Sequence, residues 1–273
     1  MKKKHLKPQV KIVLYVLLAL IVAAAGFFLF PKKEIRKAVA VGEKVTLVPV
    51  IEEVPPEPEN PFEPVWSSAD WQANYAVNDE YIGTFRFESG IIDLPVMLTD
   101  NNFKYLTLNW ETMGYDADGT LYVDYNDTLD SMNITIYGHY CYPEVDAEQV
   151  RMFTPLHVLK DQENYEANQY IDLLLEHEAR RYQVAAVYYV PLVFSPDSQS
   201  YDYAPDDLCY YVPEFSDEYF QSYISRVKQE EFYDTGVEFT NKDHLLTMQT
   251  CVYLREDLRL IVVAKEVERK AIE

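Results

Sequence analysis

Cysteine is scarce in this chain: three residues in 273, Cys141, Cys209 and Cys251. They are too few and too widely spaced for a disulfide scaffold, and no pair has the C-x-x-C spacing of a metal knuckle. At least one thiol is therefore unpaired within the monomer. The five histidines (His5, His139, His157, His177, His244) form no HExxH pattern, so spacing supports no metal site. Glycine is also sparse, at 8 residues, where an average chain carries about 7%. That excludes collagenous and glycine-rich repeats, and no period of ~20 to 50 residues appears.

Positive charge is missing from most of the length. Lys2, Lys3, Lys4, Lys7 and Lys11 stand in the first 30 residues, which hold no acid. The other 19 of 24 basic residues face all 45 acidic ones, a net of −26. Such a field repels phosphates, so DNA and RNA are poor partners. What the chain does have is apolar mass: 48% hydrophobic and 14% aromatic residues, enough for one buried core of ordinary domain size.

Ile12 to Phe30 reads IVLYVLLALIVAAAGFFLF, 19 residues without a charge. As a helix it would span ~28 Å, the thickness of a bilayer core. The lysines before it and the acids after it predict a cytoplasmic basic tail (1–11), a transmembrane helix (12–30) and an outward-facing remainder. A cleaved signal peptide is the alternative, but its apolar region usually runs ~7 to 15 residues, which favours retention. Residues 31–65 are rich in Pro, Glu and Val and end in PPEPENPFEP. Repeated proline blocks helix and ladder bonding, so this stretch reads as an extended extracellular stalk. A globular domain over 66–273 follows.

Within it, Ser67 and Ser68 can cap a short helix reaching about Val77. YIGTFRF, IDLPVML, TLYVDY, NITIYG, RRYQVAAVYYV, HLLTMQT and LRLIVVAK are short, β-branched and aromatic, and turn residues separate them. They predict a closed or nearly closed antiparallel sheet. Two helices are expected among the strands. The first covers roughly Asn164 to Glu176. The second follows Ser216, with Phe215 stapled onto Phe220 and an apolar face of Tyr219, Phe220, Tyr223, Ile224 and Val227.

Three polar residues sit at strand ends. Cys251 closes LLTMQTC, Arg259 opens RLIVVAK after a short turn, and His139 follows NITIYG. Antiparallel strands joined by a turn bring their facing ends together. A free thiol near pKa ~8.5 is mostly protonated at neutral pH, and an adjacent imidazolium favours the attacking thiolate. A guanidinium supplies several donors to a carbonyl that becomes an oxyanion. Together these groups suit acyl transfer without metal or cofactor. Each signal is weak alone, because a lone strand-end cysteine is more often a small core residue.

The motifs in combination are more specific. LLTMQTC with Arg259 eight positions on, and YGH at Tyr137 to His139, resemble the sortases, cysteine transpeptidases of Gram-positive cell surfaces. Within them the chain resembles class B. ADWQANYAVNDEYIGTFRFESGIIDLPVML is similar to the class B entry segment. MFTPLHVLKDQENYEANQYI is similar to the helical stretch after the histidine, and DTGVEFTNKDHLLTMQTC to the run into the cysteine strand. The resemblance covers nearly all of Ala69 to Lys265.

It implies a mainly β fold: an eight-stranded barrel with an N-terminal helix and inserted helices, behind one transmembrane helix. It implies that Cys251 is the nucleophile, His139 the general acid and base, and Arg259 the holder of the substrate carbonyl, with no cofactor and no metal. The implied partners are a secreted protein bearing a sorting signal and an amine on a cell-wall precursor or a pilin. The implied location is the membrane, with the catalytic domain outside. A sortase-fold binding module without turnover and a simple thioester hydrolase are the competing readings. The family commonly has Thr-Leu-Ser-Thr-Cys, whereas Met248, Gln249 and Val252 differ here. Cys141, two residues past His139, is either a spectator or a partner for a disulfide with Cys251 or Cys209. His157, His177 and His244 are read as surface or packing residues.

Overall fold

The computed structural model describes residues 62–141, 151–195, 200–203, 212–252 and 255–272. The expected tail, transmembrane helix and most of the stalk, and Cys209, lie outside these residues. Among the described residues no helix is long and apolar enough to cross a membrane.

Among the described residues nine strands form the sheet: β1 (Tyr81–Phe87), β2 (Asp93–Leu98), β3 (Leu121–Val123), β4 (Asn133–Tyr137), β5 (Tyr170–Leu174), β6 (Glu178–Ser195), β7 (Ser200–Tyr203), β8 (Leu245–Val252) and β9 (Arg255–Ala271). Their order is β5-β1-β2-β3-β4-β8-β9-β6-β7, and β5 also pairs with β6. Eight strands thus close into the expected barrel, and β7 extends β6 beyond it. The closure is not wholly antiparallel, because β2 runs parallel to β3 and β4 parallel to β8. Crossovers between those strands are what bring distant stretches of sequence side by side.

The barrel interior holds Phe85, Val96, Leu121, Ile134, Ile136, Val184, Leu246, Met248, Leu260 and Val262. A second cluster coats the outside of β6, β8 and β9, where Tyr188, Leu245, Ile261 and Val263 pack with Phe220, Tyr223 and Val227 of helix α2 (Asp217–Glu230). Burial on both faces explains why VAAVYYV and RLIVVAK read as continuous apolar runs rather than alternations. Ser216 accepts from the Tyr219 amide as an N-cap, and the Phe215 and Phe220 rings lie 5.7 Å apart. Helix α1 (Ser68–Tyr75) starts in a reciprocal capping box between Ser67 and Asp70. Phe62, upstream of the expected stalk boundary, is 2% exposed and packs on Leu174 and Ala179.

One predicted helix is absent. Asn164 to Glu176 comprises the ends of short 3-10 turns, which cover Thr154–Lys160, Gln162–Asn164 and Glu166–Asn168, followed by strand β5. YIDLLL is a short apolar run whose periodicity does not separate helix from strand. Its pairing with both β1 and β6 decides the matter.

Candidate active site

Three neighbouring strands, β4, β8 and β9, position the three expected residues. Tyr137 lies opposite Gln249 in the parallel β4–β8 pair, and the Gly138 amide donates to the Gln249 carbonyl at 3.2 Å. His139 and Cys251 each stand two residues further on, hence on the same face of the sheet. In the antiparallel β8–β9 pair Cys251 lies opposite Arg259. The main-chain groups of Gln249 face β4, and by the period of two so do those of Cys251. Cys251 and Arg259 are therefore a non-hydrogen-bonded pair, the narrow kind with Cα atoms ~4.5 Å apart and side chains close. Directly past Cys251 the register shifts, and Val252 lies opposite Arg255.

The shared face is the outside of the barrel, since Met248 and Leu260, one residue out of phase, lie in the interior. On it His139, Cys251 and Arg259 line one cavity of about 150 Å³, together with Leu106, Thr120, Tyr122, Tyr137, Gly138, Gln249 and Thr250. Tyr122 and Tyr137 put their rings 5.3 Å apart there, and the Tyr137 hydroxyl donates to Asp124 at 2.7 Å. At least these two of the chain's tyrosines thus face the cavity.

His139 is held by its Nε2, 2.8 Å from the Leu106 carbonyl. A carbonyl only accepts, so Nε2 carries a hydrogen and Nδ1 is the nitrogen left to exchange a proton. The same bond persists in the imidazolium, so the ring keeps its place through a proton transfer. The carbonyl is itself fixed. Tyr105 is fully buried; its hydroxyl donates to Glu80 at 2.7 Å and accepts from Asn78 at 2.8 Å. Gly119, at φ +64°, brings its backbone so near that a Cβ there would lie 2.7 Å from the Leu106 oxygen and 2.3 Å from the Tyr105 oxygen. No sequence signal points to Leu106, because any residue supplies a carbonyl.

Arg259 donates from Nη1 to the carbonyls of Leu258 at 2.9 Å and Glu256 at 3.2 Å, tying its head to the first residues of its own strand, β9. Cys141 and Cys251 are free thiols. Burial, with the Asp118 carboxylate adding to it, pushes the Cys141 thiol up to about 12, so it is a poor source of thiolate at neutral pH. His157 has a larger part than packing: its Nε2 lies 3.0 Å from the Cys251 carbonyl. His177 is exposed beside Glu176, and the His244 carbonyl accepts from the Glu266 amide.

No protein-family model matches the chain. It is 26% identical over 181 residues to sortase B of Listeria monocytogenes, which covers 64% of each protein, so the chain spans about 64% of that relative's length. It is 24% identical over 193 residues to sortase B of Staphylococcus aureus, covering 69% of this chain and 71% of that one. The chain is a homologue of the class B sortases. The fold agrees. Sortase B of Clostridium perfringens superposes with a TM-score of 0.59 at 24% identity, over 72% of this chain and 99% of that one. The S. aureus sortase B–substrate complex gives 0.60 at 21%, over 74% and 86%.

Against the sortase pattern, the two substitutions before the cysteine fall on opposite faces. Met248 is fully buried in the barrel, where it replaces leucine at similar volume. Gln249 lines the cavity, so it is the departure that changes the cavity wall.

Proposed function

We propose that this chain is a membrane-anchored cysteine transpeptidase, a working class B sortase that joins a secreted protein to an amine at the cell surface. The Cys251 sulfur attacks the carbonyl carbon of a sorting signal. Arg259 donates to the oxygen as it takes negative charge. The tetrahedral species collapses, the C–N bond breaks, and the departing amine takes its proton from His139, leaving a thioester on Cys251. An incoming amine attacks that thioester, His139 takes the amine's proton, and the sulfur leaves as thiolate. No oxidant, metal or cofactor enters the balance.

The single observation that carries this reading is the cavity common to His139, Cys251 and Arg259. Known sortase B structures add support for the partners, since one holds a substrate and another holds triglycine, a peptide with a free amine. The apolar segment at 12–30 supports the anchor, with the domain outside the cell and a cell-wall precursor as acceptor. The test is a panel of fluorogenic sorting-signal peptides, with and without added amines. Cleavage that rises or changes product with amine, and vanishes in Cys251→Ala, is the expected result. Cleavage that survives Cys251→Ala removes the nucleophile. Peptide binding without cleavage identifies a silent binding module, and a lysine-bearing pilin segment as the sole productive acceptor identifies a pilin polymerase.

A further inference from the structure

His157 stands outside the triad, yet it touches the nucleophile's own backbone. β4 supplies a partner to β8 as far as Gln249, whose carbonyl accepts from Gly138. Beyond that point the β4 chain turns to another neighbour. The His139 carbonyl accepts from the Phe153 amide at 3.0 Å, and Tyr140 bridges to Met152. The next β8 carbonyl on that side belongs to Cys251, and the group that meets it is the His157 imidazole, at 3.0 Å. A carbonyl cannot donate, so His157 is the Nε2–H tautomer. Burial holds its pKa down at about 4, with Lys160 acting in the same direction, so the ring is neutral through the physiological range.

The segment that carries His157 is fixed to the His139 end of β4. Thr154 accepts from the Cys141 amide at 2.8 Å and donates to the Cys141 carbonyl at 3.1 Å. The His157 ring packs on Tyr140 with centroids 4.3 Å apart. Pro155, Leu156 and Leu159 of the same turn are buried, and Tyr233 donates to the Leu159 carbonyl at 2.6 Å.

We propose that His157 is a positioning residue, an imidazole standing in for the missing strand, which holds the Cys251 main chain in register with the residues that follow His139. Its consequence for turnover rests on the transpeptidase reading above, whereas its hold on the end of β8 does not.

Two variants of the full chain separate donor from bulk. His157→Phe keeps an aromatic ring against Tyr140 and removes the N–H. His157→Gln keeps a donor at the reach of Nε2. Hydrogen exchange of the peptide ending β8 should quicken about tenfold in His157→Phe, as one strand-end hydrogen bond is lost. In sorting-peptide turnover, kcat should fall about tenfold with KM within about twofold. His157→Gln should restore both to within about threefold. Exchange and kcat in His157→Phe within about twofold of the wild type overturn the proposal, as does a change in KM alone. If no peptide is turned over by the wild type, the transpeptidase reading falls and the exchange result still judges the hold on β8. Should His157→Phe fail to fold, nitrogen-15 spectra of the wild type decide. A neutral Nε2–H ring from pH 5 to 8 supports the proposal, and an Nδ1–H or charged ring sinks it.

Discussion

Gly119→Ala changes one methyl group and should reach the proposed general acid and base through two intermediaries. At φ +64° an alanine carries left-handed strain of about 1–2 kcal/mol. Its Cβ would also lie 2.3 Å from the Tyr105 oxygen, 2.7 Å from the Leu106 oxygen and 2.9 Å from the Leu106 carbonyl carbon. All three are backbone atoms, and the Tyr105 side chain is buried in the core, so relief is expected to displace the peptide that accepts from His139. Overpacking of this kind costs about 1–3 kcal/mol, for a total of about 2–5 kcal/mol. At roughly 2–4 °C per kcal/mol for a domain of this size, Tm falls by about 4–20 °C. Gly90→Ala is the control, because Gly90 has φ +79° with nothing within 4 Å of its Cβ position. It bears the strain term alone, and Tm falls by about 2–8 °C. In peptide turnover Gly119→Ala should lower kcat at least about tenfold, since displacements near 1 Å in a catalytic constellation are worth up to about 100-fold. Gly90→Ala should leave kcat unchanged. Equal melting shifts and equal kcat in the two variants would refute the link from Gly119 through Leu106 to His139.

Arg259→Lys should lower kcat/KM about 100-fold, because the proposed role has a planar fork donating to the developing oxyanion and one ammonium would replace it; activity within about threefold of the wild type counts against that role. Asp127 gives a pH signature. Its carboxyl is buried, Oδ2 accepts from the Thr135 amide at 2.6 Å, and Oδ1 has no partner. Burial raises its pKa to about 7, against about 3.9 in the unfolded chain. The native state therefore keeps its proton to higher pH, and the stability this provides is fully present below about pH 4 and lost as pH rises through 7. Asp127→Asn removes that loss, so the Tm of the variant relative to wild type should climb from pH 5 to pH 8. A difference that stays constant over that range contradicts the assignment.

Much of the barrel was legible in the sequence because its strands are bounded by turn residues and its helices by caps. The Ser67–Asp70 and Ser216–Tyr219 caps lie where the hydroxyl and carboxyl spacing put them. β5 was hidden, since YIDLLL carries no period and gains its identity from partners 80 or more residues upstream and about ten downstream. The parallel pairings were hidden for the same reason: direction is a property of two strands, and NITIY reads alike beside either neighbour. At the site, side chains were easier to find than backbone. His139, Cys251 and Arg259 are marked by residue type and motif spacing, although β9 starts at Arg255 and not at Arg259 as expected, whereas the Leu106 carbonyl and the close approach at Gly119 exist only once the 104–120 segment has folded over the cavity. His157 falls between the two cases. Its residue type was visible, but its partner is a main-chain oxygen 94 positions away.

The most direct measurement is intact-protein mass spectrometry of the chain quenched in acid during reaction with a sorting-signal peptide. The expected spectrum contains a covalent adduct with the mass of the peptide's N-terminal fragment, mapped to Cys251, absent from Cys251→Ala and discharged by added amine. Product formation with no adduct on Cys251, or an adduct on Cys141 instead, would contradict the proposal that the thiol at the end of β8 performs the chemistry.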